Sequence, residues 1–229
     1  DPGEPSYFQQ FVPGLSHSAI FLAGSTAVEL IGVTRQLVGT DDAPYLYGGS
    51  IGPIPLSPRP GDRLRRLGEI LATSFGLKGL FGVDYIERAG DPWPVEINPR
   101  YTASVEIHEL ATGRALLRDH WRACSTDDPP LAPETIPRND PPRIVGKTIL
   151  YARRSFTAPE IMKPADLSRH PFQIPRIADI PQPGTFIPQG APIMTIYAEG
   201  ESEAECLQSL DARMEFWWTF IESQSRDDS

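Results

Sequence analysis

The chain has 229 residues, 40% of them hydrophobic, enough for one large domain or two small ones around a sizeable core. Its formal net charge of -9 at pH 7 excludes the basic footprint of non-specific nucleic-acid binding and disfavours docking on anionic membranes. Two cysteines, Cys124 and Cys206, are too few for a disulfide framework, and they read as thiols of a reducing, cytoplasmic compartment.

No stretch approaches the roughly 20 apolar residues of a membrane span, and the N-terminus lacks the pattern of a signal peptide. The chain starts at Asp1 and enters a strand-like run almost at once, so it reads as a fragment or a processed product. In chain order, 7–12 and 18–22 read as short strands around the turn Pro13-Gly14. A longer β-run follows at 27–38, rich in β-branched residues. Residues 43–60 carry many Gly and Pro and are expected to be extended loop, with Gly48-Gly49 lining the mouth of a site.

Leu64, Leu67, Ile70, Leu71 and Phe75 fall on one helical face, which predicts a helix over 62–75, capped by Asp62 and stopped by Gly76. Residues 79–88 and 93–98 read as a β-hairpin across the turn 89–92. A helix is expected from Thr102 or Ser104 to Gly113, and a second over 114–123. Residues 125–142 are dense in Pro and Asp and read as a linker. It separates 1–124 from a small β-rich domain at 143–229, with strands at 143–152, 172–179, 185–188 and 192–198 and a helix at 201–222.

The stretch 79–109 carries the chemistry. Asp84 lies on the first hairpin strand, and Glu96 and Asn98 on the second. Strand side chains alternate faces, so Glu96 and Asn98 point the same way, and Asp84 can face them from its neighbour. Two carboxylates and an amide on one face are unfavourable unless a cation neutralises them, and Mg²⁺ is the hard, oxygen-loving choice. Arg100 follows, able to grip a phosphate or carboxylate through two parallel bonds, next to the amide donors of a helix N-terminus.

The pattern D–x(n)–E–x–N–P–R on a hairpin resembles the metal-binding core of the ATP-grasp superfamily. The resemblance implies an α+β fold: the C-terminal half of an ATP-grasp unit, an antiparallel sheet with flanking helices. It implies ATP as cofactor, Mg²⁺ or Mn²⁺ held by Asp84, Glu96 and Asn98, and Arg100 as catalytic anion clamp. The upstream YFQQFVPG resembles the family's inter-domain hinge. That places Gln9, Gln10, Phe11 and Val12 at the adenine edge, with Gln9 and Gln10 where an acidic residue is usual, and His17 on the strand passing the nucleotide. The subgroup it looks most like is that of the predicted ATP-dependent carboligases related to biotin carboxylase.

The family mechanism implies a carboxylate–amine (or thiol) ligase working through an acyl phosphate. Its partners are then a small carboxylate, an amine, and the N-terminal half of the same enzyme, with a homodimer as a further assembly. A biotin-carboxylase-like carboxylase and a non-catalytic nucleotide-binding remnant are the rival readings. Glu106, with Glu109, reads either as a catalytic base or as a solvated helix face. His108 and His120 read as surface or capping residues, Lys147 as a strand-end charge, and Trp217 and Trp218 as core or interface.

Overall fold

The computed structural model describes residues 8–40, 43–125, 143–159 and 174–224. Its main body is one eight-stranded sheet with helices on both faces. The strands are β1 (Leu15–Ala23), β2 (Val28–Thr40), β3 (Ala43–Gly52), β4 (Gly79–Arg88), β5 (Asp91–Asn98), β6 (Ile144–Tyr151), β8 (Ile177–Ala178) and β10 (Pro192–Gly200). They lie in the order β5-β4-β1-β2-β3-β6-β10-β8, and every adjacent pair is antiparallel. A two-stranded ribbon, β7 (Phe156–Thr157) with β9 (Phe186–Ile187), stands apart. The α+β class expected from the sequence is the class found.

Alternation along the strands gives the sheet two different faces. On one, Ala19, Phe21, Val33, Phe81, Val83 and Tyr85 form a core under helix α1 (Pro58–Phe75). The sequence places Gly68 on this helix against Phe21, where a Cβ would meet the ring at 2.5 Å. Helix and sheet therefore approach closely. Proline at the first turn and Gly76 in the left-handed region (φ 62) set the ends of α1. The helix starts four residues before Asp62, so Ser57, not Asp62, occupies the cap position. Farther along the same face, helix α4 (Glu203–Gln224) covers Leu150, Met194 and Ile196 with Leu210, Trp218 and Ile221.

The opposite face carries α2 (Ala103–Thr112) and α3 (Leu116–Ser125). Leu116 and Ala123 close over Ile20, Leu22 and Leu80, while Ile107 and Leu110 pack on Val145 and Tyr197. Arg114, between these helices, donates both terminal nitrogens to Glu29 (2.7 and 2.9 Å) and Nε to Asp119 (2.7 Å), tying the junction to β2.

Two expectations fail here. Residues 8–13 form no strand, and Phe8 and Phe11 stand exposed with no strand beside them among the described residues. Residues 43–52 are a strand, not a loop. The glycines that suggest a loop serve close approach instead: a Cβ on Gly49 (φ 147) would lie 2.0 Å from the Lys147 carbonyl oxygen on β6. Of the expected linker 125–142, all but Ser125 lies outside the described residues. The strands on either side of it share one sheet, through the pairing of β3 with β6.

Candidate active site

The hairpin β4–β5 positions the carboxylates. Ala89 and Gly90 both take positive φ (53° and 77°), as a two-residue type I′ turn requires, with Arg88 opposite Asp91. That turn fixes the register. Asp84 pairs directly with Glu96, and Gly82 with Asn98. Directly opposed residues share a face, so Asp84, Glu96 and Asn98 stand on one side of the sheet, the side of α2. The register breaks once, between Asp84 and Tyr85. Glu96 is exposed, Asp84 is half-buried, and Asn98 is buried.

Asp84 is held from two strands, by hydrogen bonds with the side chains of Ser18 on β1 and Gln36 on β2. Burial is the main cause that raises its pKa. The bonds to Ser18 and Gln36 oppose it, the Glu96 charge adds to it, and Arg100 pulls it back. A carboxylate lifted by burial and by a second carboxylate is a group that a cation would relieve. Arg100 is exposed and donates Nη2 to the Asn98 Oδ1 (3.1 Å) and Nη1 to the Tyr101 carbonyl (3.2 Å). Among the described residues no three His, Cys, Asp or Glu side chains cluster as a metal site.

Small residues let α2 settle beside this group. A Cβ on Gly82 would lie 2.9 Å from the Thr102 methyl, and one on Gly32 would lie 2.5 Å from the His108 ring. Thr34 Oγ1 bonds to Ser104 Oγ at 3.0 Å. Thr102 holds the cap position, without a side-chain bond to the helix.

The polar face extends well beyond the hairpin. Ser18 stands opposite Asp84, Gln36 opposite Ser50, Ser50 opposite Lys147, and Lys147 opposite Tyr197. With Glu96, and with the Asp84–Gln36 bond as a diagonal step, one polar row crosses seven strands. Glu106 reaches down from α2 onto its far end. Its Oε2 accepts from Lys147 Nζ (2.7 Å), and its Oε1 accepts from Tyr197 Oη (2.9 Å). Lys147 is 8% exposed and sits in the middle of β6. It is not at a strand end. The signal was available: a lysine inside the apolar run IVGKTILY has to find a partner.

The remaining candidates scatter. His17 is buried on the other face, stacked on Tyr85 with ring centroids 5.4 Å apart, and burial lowers its pKa. Gln9, Gln10 and Phe11 are exposed, and Val12 is half-buried, all outside regular structure. Glu109 accepts from Tyr101 Oη (2.9 Å) and the Leu117 amide (3.1 Å), bracing the α2–α3 junction. His120 is half-buried and its Nδ1 accepts from the Leu80 amide (2.8 Å), while His108 is fully buried and so is no surface histidine. A cavity of about 550 Å³ between the β1–β2 turn and the end of α1 shares no lining residue with the polar row.

The family model for the ATP-grasp domain matches residues 2–104. An uncharacterised protein of Methanocaldococcus jannaschii is 28% identical over 195 residues, covering 85% of this chain and 43% of that protein. The chain thus spans less than half the length of that relative. Phosphoribosylglycinamide synthetase from Anaerococcus prevotii superposes with a TM-score of 0.66 at 15% identity, over 90% of this chain and 53% of that one. L-amino acid ligase from Bacillus licheniformis gives 0.65 at 16% identity, over 90% and 54%. At such identities these two likenesses speak for the fold.

Proposed function

We propose that the chain, whose residues 2–104 match the family model for the ATP-grasp domain, carries the metal-carboxylate part of an ATP-dependent ligase. The reaction joins a carboxylate to an amine through an acyl phosphate. The observation that supports this most is the direct pairing of Asp84 with Glu96, with Asn98 on the same face and Arg100 bonded to it.

Asp84, Glu96 and Asn98 would hold Mg²⁺, or Mn²⁺ in its place. The donor set fits a hard cation, because two facing carboxylates with one raised pKa are relieved by a divalent charge. When bound, such an ion offsets the negative charge that builds on a transferred phosphoryl group. Ser18 and Gln36 keep Asp84 in place for this. Arg100 presents an exposed planar fork suited to a phosphate or carboxylate. Gln9, Gln10, Phe11 and Val12 lie free of the sheet and are available to the adenine edge. His17 has no part in this proposal, since it faces α1 and its core.

Glu96→Gln in the full-length protein tests the assignment. Mg²⁺-dependent ADP release is expected to fall about 10²–10³-fold, the loss typical of one electrostatic group aimed at developing charge. The metal-free melting temperature should hold or rise slightly, because one of two facing charges is gone. Turnover near the parental rate at low Mg²⁺ would remove Glu96 from the metal site.

A further inference from the structure

We propose that a hollow on the back of the sheet, between the β2–β3 hairpin and α4, binds a small organic cation: a primary amine with a compact apolar body. The hollow lies on the face opposite Asp84 and Glu96, so it is a site separate from the one read as a ligase centre. Gln36, which bonds to Asp84 on one face, is followed on β2 by Leu37, which lines the hollow on the other.

Three observations carry it. First, the size and the walls suit a small molecule. The hollow encloses about 350 Å³, and Leu37, Leu46, Leu207, Leu210 and Met214 line most of it. Methionine adapts its shape to what it meets, which helps such a wall close on a ligand.

Second, the space follows from the strand pairing. The ladder between β2 and β3 breaks twice at this end, after Leu37 and after Val38. Such breaks bend a strand and interrupt the regular stacking of its side chains. Leu210 of α4 is fully buried, yet Val38 and Leu46 at the hollow remain 49% and 38% exposed. They are apolar surface at a concave place, which the body of a ligand would take out of water.

Third, the polar groups leave one charge to use. Thr148 Oγ1 donates to the Gly48 carbonyl (3.0 Å), and Tyr151 Oη donates to the Tyr47 carbonyl (2.8 Å), so both hydroxyl protons are spent on β3. The Asp211 carboxylate also lines the hollow, is exposed, and has no hydrogen-bond or ion-pair partner among the described residues. The arginines around α4 are committed elsewhere: Arg213 to the Tyr197 carbonyl, Arg153 to Glu215 and Arg35 to Glu203. An uncompensated carboxylate beside an apolar hollow repels anions. Among ligands with the same apolar body it favours the one that carries an ammonium.

The test is a ligand-observed NMR titration of the full-length protein with three probes of one shape: phenethylamine, 2-phenylethanol and 3-phenylpropionate. Phenethylamine should bind saturably, about two- to fivefold more tightly than the alcohol, the gain of one exposed ion pair. The carboxylate should bind more weakly than either. Asp211→Asn, at an exposed position, should erase the difference between amine and alcohol and leave the alcohol's affinity as it was. Leu46→Lys, which removes apolar wall and adds a like charge, should weaken the amine about tenfold. Absence of saturable phenethylamine binding overturns the proposal and would mean that the hollow is covered by another part of the protein or too shallow to hold a ligand. Equal binding of the three probes also overturns it. So does a preference for the amine that survives Asp211→Asn, because the amine then sits elsewhere. The three probes are compared on the parent protein, so that result stands even where a variant misfolds.

Discussion

His108 shows what burial does to a single titratable group. Its ring lies against Gly32, its Nε2 has no hydrogen-bond partner among the described residues, and burial lowers its pKa to about 4. The unfolded value is 6.5. Above that pH both states are neutral, and the residue adds no pH dependence. As pH falls from 6.5 toward 4, the unfolded chain takes up a proton that the folded chain refuses, so stability drops by about 3 kcal/mol over the window. His108→Leu should remove this acid limb. Urea midpoints at pH 7.5 and pH 5 check it, and equal acid sensitivity in parent and variant would contradict the assignment. Asp84 runs the other way. Its raised pKa makes the charged form a burden at neutral pH, which a bound cation would relieve. Ala89 holds φ 53 in the hairpin turn, a conformation that costs an L-residue about 1 kcal/mol. Ala89→Gly should therefore raise the melting temperature by a few degrees, on the order of 0.5–1 kcal/mol, read by calorimetry.

At the scale of elements, the closeness of α2 to the carboxylates depends on glycines at the contact. A Cβ at position 32 would sit 2.5 and 2.9 Å from two atoms of the His108 ring, on a helix also fixed by the Thr34–Ser104 bond. Gly32→Ala is expected to cost about 1–3 kcal/mol by overpacking. The double variant Gly32→Ala/His108→Ala should recover part of the loss, because the ring that clashes is gone. Denaturant titrations of the four proteins give the coupling, and strict additivity would mean that α2 yields without touching β2. The legibility of these elements follows from their physics. The β4–β5 hairpin was legible because turn chemistry and alternation are local, and they placed Asp84, Glu96 and Asn98 on one face. Strand β3 was not, since Gly and Pro read as loop until the neighbour that needs bare glycine is known. Lys147 was misread as a strand-end charge because its partner Glu106 lies 41 residues away. His17 was placed beside the nucleotide by resemblance, although a one-residue step from Ser18 turns it to the opposite face.

For the whole molecule, the decisive contact is the seam between β3 and β6, where Gly49, Ser50, Ile51 and Gly52 pair with Thr148, Lys147, Gly146 and Val145. It joins the strands that carry Asp84 and Glu96 to those that carry Lys147 and Tyr197, and it makes the polar row continuous. Gly49 is its tightest point. A methyl group there would lie 2.0 Å from the Lys147 carbonyl oxygen and 2.8 Å from the Thr148 Cα, both backbone atoms that cannot swing aside, and φ 147 is open to glycine alone. Gly49→Ala should cost 3 kcal/mol or more, roughly, combining steric and backbone strain. The informative readout is where the cost appears. If the sheet is one cooperative unit, amide exchange rises together in β1, β4, β6 and β10, and unfolding remains a single transition. If the strands of 143–200 form a unit of their own, exchange rises in β3 and β6 alone and a second transition separates. Hydrogen-exchange mass spectrometry with calorimetry distinguishes these outcomes. Joint exposure is the expected one, because α2 packs on Val145 and Tyr197 while its Ser104 bonds to Thr34 on β2, bridging the seam from above.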